Sequence, residues 1–307
     1  MNTQSNALPE SLERPQVQTQ ILSTTHPFLW SLRRELWENR YIYLAPLAAG
    51  GMILFVFLIS LIRMPYRLQA LPTLDPVQQR ELIAAPYDYA AAFFMGMQML
   101  VAIVYSLDCL YSERRDRSIL FWKSLPVSDA TTVLSKAIVP LAIVPLITCA
   151  VSVATLWIML VLNRAMLPAS GQTFAVVWTQ LALTEVSGLL VYHLLAVHAL
   201  WHAPFYGWFM AVSSWARRAP FLWAFVPPLA VIAVEKILFG TSHFADLLGY
   251  RLRGGPAAMQ HSDFPIDPGM QLTPGRFLTS SGLWTGLAFT AICLFIAMRM
   301  RRYRGPN

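Results

Sequence analysis

The sequence predicts an all-α integral membrane protein: an N-terminal interfacial helix plus six transmembrane helices, with both termini cytoplasmic. Three observations lead there. Of 307 residues, 56% are apolar and only 13% charged, and the mean hydropathy is +0.49, far from the composition of a soluble domain. Apolar runs of bilayer length recur along the chain. Basic residues collect at the ends of alternate runs, as membrane topology requires.

Residues 1–25 are rich in Gln, Ser, Thr, Asn and Pro, a composition that predicts a flexible cytoplasmic tail. They contain no apolar core, so no cleavable signal peptide is expected. Pro27 suits a first helical position, and Phe28, Leu29, Leu32, Leu36 and Tyr43 share one arc of a helix, with Ser31, Arg34 and Glu38 opposite. Trp30, Trp37, Arg33 and Arg40 flank that arc, the pattern of a helix lying in the membrane interface.

The expected spans are 44–62, 89–111, 137–162, 173–200, 221–239 and 282–298, which makes 26–307 one transmembrane domain. The proline-rich stretch after the first span reads as an outer loop with one short helix at 77–84. Pro140 and Pro145 are expected to kink the third span. The aromatic segment 201–220, ending in Arg217 and Arg218, is placed at the cytoplasmic interface. Residues 240–281 read as a long outer loop with little periodicity.

Orientation follows from the basic residues. With the N-terminus inside, the cytoplasmic segments hold Arg33, Arg34, Arg40, Arg114, Arg115, Arg117, Lys123, Lys136, Arg217, Arg218, Arg299, Arg301, Arg302 and Arg304. The outer loops hold Arg63, Arg67, Arg80, Arg164, Arg251, Arg253 and Arg276. This two-to-one bias puts the loop 112–136 in the cytoplasm. An excess of basic residues scattered in this way is not a nucleic-acid surface, and no nucleic-acid partner is expected.

Motifs narrow the chemistry. There is no G-x-x-x-x-G-K-[ST], G-x-S-x-G or H-E-x-x-H, so no catalytic residue and no nucleotide site is expected in this chain. His193, His198 and His202 lie close in sequence, and the last two share a helix face. They lack a completing ligand, so no metal site is assigned. Cys109, Cys149 and Cys293 sit in or beside apolar runs as core residues. Glu185, well inside a span and on one stripe with Tyr192, marks either a translocation path, a subunit seam or a structural hydrogen bond. Asp108 reads as a group capped or snorkelling at the cytoplasmic end of its helix, and Glu235 as pairing with Lys236 or reaching the outer interface.

The loop 112–136 carries its own logic. Asp116 or Ser118 can cap a short helix bearing the apolar residues Ile119, Leu120, Phe121 and Trp122, Pro126 ends it, and Ser128 or Asp129 can cap the helix that becomes the third span. Such a helix, held between two spans, either rests in lipid headgroups or is gripped by a soluble partner.

The run Tyr111, Glu113, Arg114, Arg115, Asp116, Ser118, Leu120, Phe121, Trp122, Ser124, Leu125, Pro126, Ser128 and Asp129 resembles the cytoplasmic loop of bacterial ABC-2 type transporter permeases. The stretch with Trp201, Pro204, Trp208, Ser214, Trp215, Arg217, Arg218 and Pro220 is similar to a second segment of those permeases. The resemblance implies the transmembrane subunit of an ATP-driven exporter in the bacterial inner membrane. It would pair with a second copy or a paralogue, with two copies of a separate ATPase subunit beneath; ATP and Mg would sit on that partner. It implies a coupling helix at 117–125, so that Glu113, Arg114, Arg115, Asp116, Arg117, Ile119, Leu120, Phe121, Trp122 and Leu125 form the ATPase contact. Two other readings stand beside it: a membrane redox or metal-binding subunit built on His193, His198 and His202, and a membrane scaffold that transports nothing. The substrate is not legible, because the Met and aromatic residues of the spans suit lipid as well as cargo.

Overall fold

The computed structural model of the chain describes residues 27–62, 75–124, 127–166, 183–254 and 274–303, all helix and short connections with no strand among them. The tail at 1–25 lies outside the described residues. Five helical stretches are long and apolar enough to cross a bilayer: Tyr41–Leu61, Ile83–Arg115, Asp129–Ala165, Pro220–Phe239 and Ser281–Tyr303. The protein is therefore an all-α, multi-pass membrane protein.

Helix α1 (Pro27–Glu38) is separated by a turn at Asn39 and Arg40 from α2 (Tyr41–Leu61). The burial of α1 follows the sequence expectation at Leu32 and Leu36, which pack on the core, and departs from it elsewhere. Leu29, Trp30 and Trp37 are exposed, whereas Glu35 is buried and Arg34 half-buried on the inner side. A polar face turns inward here because ionic partners await it on other helices.

Helix α3 (Pro76–Asp108) opens with Pro76 after Asp75, whose carboxylate accepts from the Gln78 amide at 2.8 Å. That cap and an N1 proline start a regular helix, which runs unbroken through Pro86. The short separate helix expected at 77–84 is thus the first part of one long helix. Two brief helices follow, α4 (Tyr111–Arg115) and α5 (Ser118–Ser124).

Helix α6 (Asp129–Ile138) is capped by Ser128, whose hydroxyl accepts from the Thr131 amide at 3.0 Å. A π-helical turn at Val139–Ile143 joins it to α7 (Val144–Met166). The turn holds Pro140 and precedes Pro145. An extra residue per turn accommodates the amide that proline removes, so the expected effect of Pro140 is seen as a π-helical turn.

The expected fourth span is composite. Residues 173–182 lie outside the described set; then α8 (Leu183–Tyr192), a π-helical stretch at His193–Trp201 and α9 (Ala203–Trp215) follow one another. Last come α10 (Pro220–Phe239), α11 (His243–Leu252), α12 (Pro274–Thr279) and α13 (Ser281–Tyr303). Helices α11 and α12 occupy what the sequence presents as an irregular loop.

The two largest of four buried clusters among the described residues stack along the bundle. Phe57, Tyr87, Leu156, Met159 and Leu190 pack together towards one end, and Ile42, Tyr105, Val133, Met210 and Ala297 towards the other. Small residues bring helices close. A Cβ on Gly50 would stand 2.9 Å from the Thr155 hydroxyl, and one on Gly207 would stand 3.1 Å from the Thr290 Cα, so α2 meets α7 and α9 meets α13 at near-backbone contact.

The contact of α9 with α13 corrects the placement of segment 201–220. Ser213 sits beside the end of α3, accepting from the Leu110 and Tyr111 amides. Trp201 is held by Arg251 and Phe277 near the start of α13. Gly282, also bonded by Arg251, and Arg301 are 19 positions apart, about 28 Å along a helix. The segment runs through the bundle rather than lying on one surface, because Ala203, Gly207 and Ala211 let it pack against its neighbours.

Candidate functional site

The candidate site is the end of the bundle where α1, α4, α5, α6 and α13 meet. At its centre are two buried carboxylates. Glu35 accepts from Lys136 Nζ at 2.7 Å, from Arg34 Nη2 at 2.9 Å and from the Tyr105 hydroxyl at 2.9 Å. Glu113 accepts from Arg34 Nη2 at 2.9 Å, lies 3.3 Å from Lys136 Nζ, and pairs with Arg301 Nη1. Arg301 Nε reaches the Asp129 carboxylate at 3.2 Å.

Three cations, Arg34, Lys136 and Arg301, thus face three carboxylates, Glu35, Glu113 and Asp129. The side chains of Glu35, Lys136 and Arg301 are only 1%, 2% and 4% exposed. Charges so far from water persist only when paired and hydrogen-bonded on every side. Burial works against the charge of Arg34, but Glu35, Glu38 and Glu113 outweigh it and hold its pKa above the ordinary arginine value. The cluster is a knot tying the N-terminal helix, the short helices and the last helix into one body.

A second tie fastens α4 to α9. Arg114 Nη2 donates to the carbonyls of Ser213 at 2.8 Å and Ala216 at 2.7 Å, closing the open carbonyl end of α9 with a cation. Ser213 Oγ in turn accepts from the Leu110 and Tyr111 amides at 3.2 and 2.9 Å. The two stretches that carry the family resemblance are therefore in direct contact.

Helix α5 rides on this knot. Arg117 takes a left-handed backbone, φ 59°, which reverses the chain sharply between α4 and α5. Ile119 is buried. Trp122, half-buried, lies under the Arg34 guanidinium with 3.7 Å to the ring centroid, a cation–π contact. Its ring also meets Phe121 edge to face at 4.9 Å. Leu120 and Phe121 point away, 58% and 60% exposed.

The residues assigned to an ATPase contact thus divide. Leu120, Phe121, Arg117 and the mutually paired Arg115 and Asp116 are exposed. Glu113, Arg114 and Ile119 face inward, where their own chain engages them. Leu125 lies outside the described residues. Tyr192 is half-buried and packs edge to face on His193 and Phe277; the side chain of its stripe partner Glu185 lies outside the described set.

His198 and His202 do share a face, with ring centroids 4.9 Å apart. His198 Nδ1 is 3.2 Å from the His193 carbonyl and His202 Nε2 is 3.3 Å from that of Leu252. Among the described residues no three His, Cys, Asp or Glu side chains are grouped to hold a metal. Of the two expectations for Glu235, pairing with Lys236 or reaching the outer interface, the pairing is not formed: the carboxylate accepts from the Thr241 hydroxyl and the His243 and Phe244 amides at 2.7–2.9 Å. It folds the start of α11 back onto the end of α10. Asp108 is half-buried, and its carbonyl accepts from Ser112 Oγ at 2.9 Å.

The sequence reading missed Glu35, Lys136, Arg301 and Tyr105 as members of one cluster. A signal existed: carboxylates are scarce among the many cations at this end, so each carboxylate must serve several partners. No protein-family model, curated protein or solved structure matches this chain.

Proposed function

We propose that the chain is the transmembrane permease subunit of an ATP-driven exporter of the ABC-2 type, coupled to a separate ATPase through α5. It crosses a bacterial inner membrane six times with both termini inside. The composite α8–α9 path makes the fourth crossing. Two permease subunits, identical or paralogous, stand over two ATPase copies, and the ATP chemistry belongs to those partners.

The single observation that carries this reading is the arrangement of α5: an exposed apolar pair, Leu120 and Phe121, mounted on a rigid ionic knot. A helix resting in headgroups has no need of such a mount. A helix that receives force does, since the knot passes displacement of α5 to α1, α6 and α13 together, and Arg114 passes it to α9. Switching between two access states takes about 5.5 kcal/mol of differential binding for a near-complete shift, a load for which a loose loop is unsuited.

The test is co-purification. The tagged chain, expressed with the P-loop protein encoded nearest to it, should bring that ATPase down in near-stoichiometric amount. Phe121→Glu with Leu120→Glu should abolish the association while the permease keeps its elution volume. Unchanged association in that variant overturns the reading.

A further inference from the structure

We propose that the cleft between the start of α6 and the last turns of α13 binds the headgroup phosphate of an anionic phospholipid. The cleft is open to its surroundings, with a volume of about 610 Å³, and its walls include Ala130, Asp129, Phe295, Met298, Arg299 and Arg302. That volume lies in the range of ordinary ligand sites.

Its two arginines differ from the one between them. Arg301 turns inward to Glu113 and Asp129, whereas neither Arg299 nor Arg302 meets a carboxylate among the described residues. Arg299 donates from Nη1 to the Tyr303 hydroxyl at 3.0 Å and lies 5.9 Å from the Phe295 ring centroid. Arg302 stands 5.9 Å from the Tyr303 ring, and its carbonyl accepts from Lys123 Nζ at 3.4 Å, which brings a third cation to the rim. The acidic lining residue, Asp129, has its Oδ1 engaged by Arg301 Nε. The cleft therefore presents guanidinium donors suited to phosphate oxygens.

The other wall names the rest of the ligand. Ile292, Phe295, Ile296 and Arg299 follow one another at helical spacing, and the first three are exposed apolar residues. An apolar track thus leads from the cleft along a membrane-crossing helix, with the arginines in its last two turns. Free phosphate has no use for such a track; an acyl chain does. The site is independent of any transport activity.

The experiment is competitive lipid retention. The full chain, purified in detergent, is offered phosphatidylglycerol and phosphatidylcholine of identical acyl chains in equal amounts, and bound lipid is counted by native mass spectrometry. The wild type should retain phosphatidylglycerol preferentially, and Arg299→Ala with Arg302→Ala should cut that preference by about fivefold for each arginine removed. Ala130→Glu, which keeps both arginines and puts a carboxylate on the cleft wall, should cut it too. Arg217→Ala with Arg218→Ala removes the same charge from an exposed turn elsewhere and should leave it intact. Absence of a preference in the wild type, an equal loss in the Arg217/Arg218 variant, retention in Ala130→Glu, or displacement of the lipid by excess inorganic phosphate overturns the proposal.

Discussion

The two ends of the bundle hold their charges in opposite ways. At one end Arg34, Lys136 and Arg301 are each paired with carboxylates in a buried network. At the other, Arg251 is half-buried and bonded to the carbonyls of Trp201 and Gly282, with its guanidinium 4.3 Å from the Trp201 ring centroid. Among the described residues no carboxylate meets it, and burial lowers its pKa below the ordinary value. An ion network in a low-dielectric interior is strong and resists partial disruption. A cation on carbonyls and an aromatic face is held by weaker, separable contacts. The difference gives the end bearing α5 the stronger, mutually dependent ties and the end bearing α11 and α12 the weaker, separable ones.

The largest expected effects come from unbalancing the network. Glu113→Ala leaves Arg34, Lys136 and Arg301 facing one another with one carboxylate fewer, and should cost about 3–5 kcal/mol, seen as a large fall in thermal midpoint by fluorescence-detected gel filtration. Glu35→Gln with Lys136→Met removes a cation and a carboxylate together and should be far milder than Lys136→Met alone. A double variant as damaged as the single would mean that burial geometry, rather than charge balance, governs this end.

Arg251→Met tests the other side of the comparison. It removes two carbonyl contacts and a cation–π contact but strands no opposite charge, so the loss should stay near 1–2 kcal/mol. A loss as great as that of Lys136→Met would erase the distinction between the two ends. The cleaner comparison is susceptibility to local opening: amides of α11 should exchange with solvent faster than those of α6, because among the described residues α11 takes part in no ion pair.

Much of this architecture was legible in the sequence, and what was not has a physical reason. Apolar runs announced the long helices, and Ser128 announced the start of α6, since burial length and capping are local properties. A short helix at 77–84 was expected within a proline-rich loop, but the prolines masked both the cap at Asp75 and the continuity of α3, which keeps Pro86 in its interior. The charged knot was hidden because it is not local: Glu35, Glu113, Lys136 and Arg301 lie on four helices far apart in sequence. The amphipathic reading of α1 held for Leu32 and Leu36, which pack on the core, and for the exposed Glu38, but missed the inward turn of Arg34 and Glu35 for the same cause. A polar residue is placed outside by default, unless one knows which distant partners will neutralise it.

Trp122→Ala is the next smaller test, and it separates the two faces of α5. The ring under Arg34 makes a cation–π contact, so its loss should cost about 1 kcal/mol of stability while leaving Leu120 and Phe121 exposed. Phe121→Ala should cost almost nothing in stability, because that side chain is already mostly exposed. If α5 is a mounted handle, Phe121→Ala weakens partner binding without softening the protein, and Trp122→Ala softens the mount.

The smallest expected effect isolates backbone strain. Arg117 between α4 and α5, and Ala219 before α10, both hold left-handed backbones, φ 59° and 47°, a conformation that costs an L-residue about 1–2 kcal/mol and glycine almost nothing. Ala219→Gly should therefore raise the thermal midpoint slightly, offset in part by the greater freedom glycine gives the unfolded chain. Arg117→Gly relieves similar strain but loosens the joint on which α5 turns. If that joint transmits force, Arg117→Gly leaves stability level or raised while weakening the binding response of a partner docked on α5, an effect that Ala219→Gly should not share. Equal behaviour of the two variants would mean that the joint at Arg117 is only a turn.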